Sequence, residues 1–320
     1  MSMELQIVLP VIISFAISAG AGPFVIKEMR RLKAAQTERE EGVAAHLKKA
    51  GTPTMGGLMI LAGIIITSLI FLKGRKEILP VLFLTVAFGI IGFLDDYLKV
   101  VLRRSDGLLP KQKLVLQFAS TIIFWVILRV QGISLELMLP FGGGRLYDIG
   151  WLAVPLLFVA VLATVNGVNF TDGLDGLASS VTIFVALFFM IAAIRMHSGV
   201  SPVAGAVIGA LMGFLLYNAY PAKIFMGDTG SLALGGFVAG IAYVLHMPLF
   251  ILIVGFIYAM ELISVVLQVS YFKLTHGKRI FKMTPIHHHF ELCDWSETRI
   301  VTTFTIITVI LAMIGMIHAI

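Results

Sequence analysis

The sequence predicts an all-α polytopic integral membrane protein, and three observations carry that expectation. Of the 320 residues, 58% are hydrophobic and only 13% are charged, whereas soluble domains carry about 25% charged residues. Apolar runs of span length, each needing about 20 residues, recur along the whole chain. The mean hydropathy is +0.98, and no stretch is long and polar enough to make a separate soluble domain. A single membrane-embedded domain over residues 1–320 is expected.

Taken in order, about ten transmembrane helices are predicted, at residues 4–26, 54–72, 78–98, 113–130, 151–167, 176–195, 202–219, 231–245, 249–272 and 298–318. The first has Glu4 and no Lys or Arg ahead of it, and it is span-length. Ala19-Gly20-Ala21 therefore reads as part of a retained helix and not as a signal-peptide cleavage site. Between the fourth and fifth, Gly142-Gly143-Gly144 predicts a short hairpin outside the membrane. The eighth is short and rich in Gly235, Gly236 and Gly240, small residues that suit close packing between membrane helices. Pro248, next to His246, marks the turn into the ninth. No internal repeat or low-complexity tract interrupts the series.

Charge sets the orientation. Loops after odd-numbered spans hold 18 of the 24 Lys and Arg residues. The positive-inside rule places those loops in the cytoplasm and both termini outside. The net charge of +6 then reads as a topology signal and an attraction to anionic lipid, with no nucleic-acid partner implied. Cys293 is the only cysteine, so no intramolecular disulfide can form.

Five polar clusters interrupt this pattern. The turn Asn166-Gly-Val-Asn169-Phe-Thr171-Asp172-Gly-Leu-Asp175-Gly176 places two carboxylates and two carboxamides where hydrocarbon would otherwise continue, and ionisable groups there mark function by default. Asp175 could also cap the following helix. Asp95-Asp96-Tyr97 closes the third span, where adjacent carboxylates raise each other's pKa and oppose the helix dipole; a metal site or general base is the functional reading. Asn218-Ala-Tyr-Pro-Ala-Lys-Ile-Phe225-Met-Gly-Asp228-Thr-Gly-Ser231 opens the eighth span, with Asp228 as ligand or as N-cap. Thr284-Pro-Ile-His287-His288-His289-Phe-Glu291 carries three successive histidines, which cannot share one face and so argue against a compact zinc site. Phosphate binding by imidazole with Lys278, Arg279 and Lys282 fits better. Lys48-Lys49-Ala-Gly51-Thr52-Pro-Thr54-Met-Gly56-Gly57 opens the second span with glycines and hydroxyls behind two lysines, suited to a phosphate or to a plain capped helix. All five fall on the side assigned to the cytoplasm, which fits metal-assisted phosphoryl transfer to a substrate in the lipid.

At these residues the chain resembles the bacterial phospho-N-acetylmuramoyl-pentapeptide transferase family, within the polyprenyl-phosphate N-acetylhexosamine-1-phosphate transferases. The matching pieces are Gly51–Gly57, Asp95–Tyr97, Asn169–Gly176, Phe225–Ser231 and Thr284–Glu291, in the family's order. The resemblance implies transfer of phospho-MurNAc-pentapeptide from UDP-MurNAc-pentapeptide to undecaprenyl phosphate, giving lipid I and UMP with Mg²⁺, in the bacterial inner membrane. It also implies the roles. Asp228 would hold Mg²⁺, and Asp95 would activate the lipid phosphate with Asp96 beside it. Asn169, Asp172, Asp175, Asn218 and Phe225 would line the nucleoside-sugar pocket, with Lys49 and Thr54 at its uridine end and Gln268 at its edge. His287, His288 and His289 would hold the pyrophosphate or sugar region, and Lys113 would lie near the lipid phosphate. It further implies a homodimer and a ninth helix that breaks, with the run 249–272 interrupted by Glu261 and Gln268. The rival readings are a sister GlcNAc-1-phosphate transferase, which the histidine tract disfavours, and a transporter for cations or phosphorylated solutes. A transporter would place its polar sites near the midplane of repeated halves, and no repeat is visible.

Overall fold

The structure, a computed structural model, describes residues 3–32, 49, 51–102, 104 and 107–319. Lys48, together with much of the basic first loop, lies outside the described residues. The chain is helical nearly throughout. Its helices are α1 (Met3–Arg31), α2 (Gly57–Ile70), α3 (Ile78–Val100), α4 (Pro110–Val130), α5 (Ala153–Thr171), α6 (Leu177–Arg195), α7 (Ser201–Asn218), α8 (Gly227–Val244), α9 (Ile251–Val254), α10 (Phe256–Leu274), α11 (Ile286–Glu291) and α12 (Glu297–Ala319). Eight of the helical segments are long and apolar enough to cross a membrane. They match all the predicted spans except the second and the eighth. α2 has 14 residues, and α8 departs for a different reason.

α8 is the hub. Every residue from Thr229 to Val244 is buried, and the helix packs against α3, α5 and α2. A helix surrounded by protein need not present a continuous apolar face to lipid. Its Gly, Ala and Ser residues let neighbouring backbones come close. The closest approach is by α3, where a Cβ on Gly92 would overlap the backbone carbonyl of Asp228. Only glycine lets the end of α3 lie against the start of α8, and that contact brings the carboxylates of both helices to one place.

The hairpin forms as predicted, with β1 (Leu137–Met138) antiparallel to β2 (Leu146–Tyr147). It is held to the far end of α8 by Met138 N–H donating to His246 O at 2.7 Å. The ninth predicted span is broken, but the break is not at its polar residues. It falls at Gly255, between α9 and α10. Glu261 and Gln268 lie inside the continuous α10, where both are buried against other elements.

Candidate active site

The ends of α3 and α8 meet in a knot of charge. Asp95 and Asp96, adjacent in sequence, sit about 100° apart around α3 and go separate ways. Asp95 accepts from Lys99 Nζ at 2.6 Å and from Leu108 N–H at 2.7 Å. Asp228 Oδ2 accepts from Lys113 Nζ at 2.9 Å, with Lys99 Nζ at 3.4 Å. Lys113 Nζ is also 3.7 Å from Asp95, so two lysines bridge two carboxylates. Asn169 donates to Asp228 Oδ1 and to Ser231 Oγ, both at 2.8 Å. Sequence reasoning passed over Lys99, although its position four residues after Asp95 places it on the same helix face.

Asp96 has another task. Its Oδ1 accepts from Asp228 N–H at 3.1 Å, and its Oδ2 accepts from Thr229 N–H at 2.8 Å and Thr229 Oγ1 at 2.6 Å. A carboxylate of α3 thus closes the free N–H groups at the start of α8, where negative charge is favoured. Asp95 and Asp96 thus reach Asp228 by different routes, Asp95 through the shared lysines and Asp96 through the backbone N–H. The N-cap reading of Asp228 falls, because Met226 is the cap residue and the Asp228 side chain faces Asn169 and the lysines. Thr54 is buried beside Gly227, near Asp96.

The turn between α5 and α6 supplies the next layer. Asp172 has no hydrogen bond to its side chain among the described residues. Burial, and then the carboxylates of Asp228, Asp96 and Asp175, push its carboxyl well above the usual carboxylate range. Asp175 does not cap α6, which begins behind Gly176. Its Oδ1 accepts from Lys49 Nζ at 2.7 Å and its Oδ2 from Ala222 N–H at 2.9 Å. Glu297, at the start of α12, accepts from Lys49 Nζ and from Asp175 N–H, both at 2.6 Å. Burial lowers the pKa of Lys49, but these two carboxylate partners outweigh it and hold the amine above its ordinary value. Nothing in the sequence singled out Glu297, since an acid in the first turn of a helix is common.

The segment before α2 joins the same region through backbone pairing. Phe225 N–H donates to Pro53 O at 2.8 Å, and Gly56 N–H donates to Phe225 O at 2.9 Å. Asn218 is buried and its amide is fully engaged, accepting from Gly176 N–H at 3.1 Å and donating to Ile224 O at 3.0 Å. Gln268 likewise tethers the last loop, accepting from the N–H groups of Ile280 and Phe281 at 3.0 Å.

The three histidines lie on the short helix α11 and not on an extended chain, each with a hydrogen-bond partner of its own. His287 turns into the interior, with Nδ1 3.1 Å from Glu261 Oε1. His288 Nδ1 is 2.7 Å from Glu291 Oε2. His289 Nδ1 accepts from Lys282 N–H at 3.1 Å. The rings of His287 and His288 lie side by side, with centroids 4.1 Å apart.

Among the described residues, no three His, Cys, Asp or Glu groups form a ready-made metal cage. That fits Mg²⁺, which takes one or two carboxylates and completes its shell with waters and substrate phosphates. Asp228 has oxygens of that kind, and Asp172 lies near enough to feel its charge.

Carboxylates bridged by lysines, at one end of a bundle of apolar helices, are equipped to gather phosphates and to neutralise charge as it moves between them. Fold and site together define an integral-membrane phosphotransferase. The model of glycosyl transferase family 4 matches residues 78–246, and signature 1 of the phospho-N-acetylmuramoyl-pentapeptide-transferases matches residues 49–61. The chain is 50% identical to a phospho-N-acetylmuramoyl-pentapeptide-transferase of Clostridium botulinum over 311 residues, covering 96% of this chain and 94% of that one. It is 48% identical to the one from Caldicellulosiruptor bescii over 315 residues, covering 98% of each. With that from Halalkalibacterium halodurans the identity is 44% over 319 residues, covering 98% and 97%. The chain belongs to the phospho-N-acetylmuramoyl-pentapeptide-transferase family.

Proposed function

We propose that the protein transfers phospho-MurNAc-pentapeptide from UDP-MurNAc-pentapeptide to undecaprenyl phosphate, in the inner membrane of a bacterium and with the site on the cytoplasmic side. The observation that carries this reading is the cluster of Asp95, Asp228, Lys99, Lys113 and Asn169, with Asp172 close enough to feel the charge of Asp228. An oxygen of the lipid phosphate attacks the phosphorus bonded to the sugar. The bond from that phosphorus to the UMP oxygen breaks, so one phosphoanhydride replaces another and UMP leaves.

The chain's residues divide this work. Lys113 and Lys99 hold two carboxylates now and are placed to take up phosphate oxygens as substrates enter. Asp95, held between Lys99 and the Leu108 N–H, accepts any proton left on the acceptor phosphate. Asn169 fixes Asp228 in one rotamer. Mg²⁺ held at Asp228, with Asp172 nearby, would neutralise the pyrophosphate and let it approach the carboxylates. Lys49, Asp175 and Glu297 form the donor end of the pocket, with Phe225 and the His287–His289 segment around it. Asn218, Gln268 and Asp96 support the pocket walls, since their polar atoms bind backbone groups and, for Asp96, the Thr229 hydroxyl. A homodimer belongs to this reading on the family resemblance.

The test uses purified protein in detergent with undecaprenyl phosphate and Mg²⁺. UDP-MurNAc-pentapeptide should yield UMP and a lipid-linked pyrophosphate sugar, UDP-GlcNAc should yield little, and omitting Mg²⁺ should stop turnover. Release of UMP from UDP-GlcNAc alone would move the protein to the sister activity. No release from any nucleotide sugar by folded protein would defeat the transferase reading, and a transporter would show just that.

A further inference from the structure

α10 buries a carboxylate that the transfer chemistry does not use. Glu261 is 0% exposed, and its Oε1 lies 3.1 Å from Nδ1 of His287, itself 1% exposed. The far atoms of the pair, Glu261 Oε2 and His287 Nε2, are buried with no hydrogen-bond partner among the described residues. Buried polar atoms are almost always satisfied, so two orphans on one hydrogen-bonded pair ask for an explanation. The direction of the ring supplies it. Nε2 points onto Gly173, where a Cβ would overlap both Nε2 and Cε1. Gly173 lies in the turn that carries Asp172 and Asp175. A six-residue helix such as α11 has little rigidity of its own, so the ring needs an anchor outside it. Glu261 sits on the 19-residue α10 and has only acceptors to offer when ionised.

We propose that Glu261 is a positioning residue: it holds the proton of His287 on Nδ1 and turns Nε2 toward the donor-binding turn at Asp172–Asp175. It acts as the outer partner of a ligating histidine acts, by fixing tautomer and ring orientation together. The inference rests on the assignment of His287 to the donor pocket. Gly173 is part of the same device, since its bare backbone leaves room for the ring.

The test is a double-mutant cycle on kcat and KM for UDP-MurNAc-pentapeptide, using the full-length protein in detergent. Glu261→Leu should lower kcat/KM about 10- to 100-fold, the usual scale for losing such an outer partner. The double variant Glu261→Leu/His287→Ala should be no worse than His287→Ala, within about twofold, because coupled residues do not add. Glu261→Gln should recover most of the loss, since its amide oxygen still accepts from Nδ1. If Glu261→Leu does not survive extraction, Glu261→Leu/His287→Leu is compared with His287→Leu, as an apolar pair replaces a buried polar pair with little strain; equal activity is expected there too. Multiplying losses, an unimpaired Glu261→Leu, or a Gln variant as impaired as Leu would overturn the inference. An impaired His287→Ala with an independent Glu261 effect would overturn it alone. Wild-type kinetics in His287→Ala would bring down the pocket assignment with it.

Discussion

Asp96, on α3, caps α8 from outside: its Oδ2 accepts both the N–H and the hydroxyl of Thr229, at 2.8 and 2.6 Å. The helix that carries Asp228 is therefore aimed by a carboxylate more than a hundred residues earlier in the chain. If this is its work, Asp96→Asn loses stability and activity together. Placing an amide donor against N–H groups leaves buried polar atoms unsatisfied, at about 1–3 kcal/mol each. Thermal unfolding in detergent, measured beside UMP release, checks this. An inactive Asp96→Asn with the wild-type midpoint would return Asp96 to the chemistry.

Asp228→Asn behaves differently. It keeps the fold, because α8 starts without help from that side chain. Turnover should fall by at least two orders of magnitude, about 3 kcal/mol or more for the loss of one charge-stabilising element. Near-normal turnover in a folded variant would remove Asp228 from the metal site.

Asp172 trades stability for function. Its folded-state pKa is raised above the ordinary 3.8, so its favourable contribution is complete below that value and is lost as pH rises through the raised one. At neutral pH, where the unfolded carboxyl is ionised, this side chain opposes folding. Asp172→Asn should raise the unfolding midpoint, by about 2–4 °C for each kcal/mol relieved, while cutting turnover. The gain should fall away as pH drops below the ordinary 3.8, where the wild-type carboxyl is protonated in both states. A lower midpoint at neutral pH would contradict the electrostatic reading.

Lys49 shows the opposite sign. Its folded pKa lies above the ordinary 10.5, so the stability it adds is complete below about 10.5 and is lost as pH rises through the folded value. The midpoint advantage of wild type over Lys49→Met should be steady from about pH 7 to 9 and shrink above about 10.5. Glu297→Gln should reduce that advantage and raise KM for the nucleotide sugar more than it lowers kcat. An advantage that persists undiminished to about pH 12 would rule out the ion pair as its source.

Most of the architecture was legible in the sequence, because a bilayer imposes one simple demand on a spanning helix. About 20 apolar residues with internally satisfied backbone meet it, whatever their neighbours. The long runs and the hairpin at Gly142–Gly144 could be read that way, whereas the polar stretch at 166–176 is a turn only from Asp172 onward, because α5 continues to Thr171. The family could be read as well, because its motifs are short and contiguous. α8 was harder to see as a span, since a helix wrapped by other helices need not look lipid-soluble. The break at Gly255 was misplaced for a related reason: Glu261 and Gln268 stay inside a continuous helix because His287 and the loop at Ile280–Phe281, from later in the chain, give them hydrogen-bond partners. Tertiary structure alone decided what each polar side chain does. Asp95 and Asp96 differ by one position, and only the placement of α8 separates a group facing lysines from one that caps a helix. His287 and Glu261 are 26 residues apart and Lys49 and Glu297 are 248 apart, distances at which no local spacing carries information. Backbone preference and hydropathy act within a few residues and can be read from the string, whereas hydrogen bonds between side chains exist only once the helices have packed.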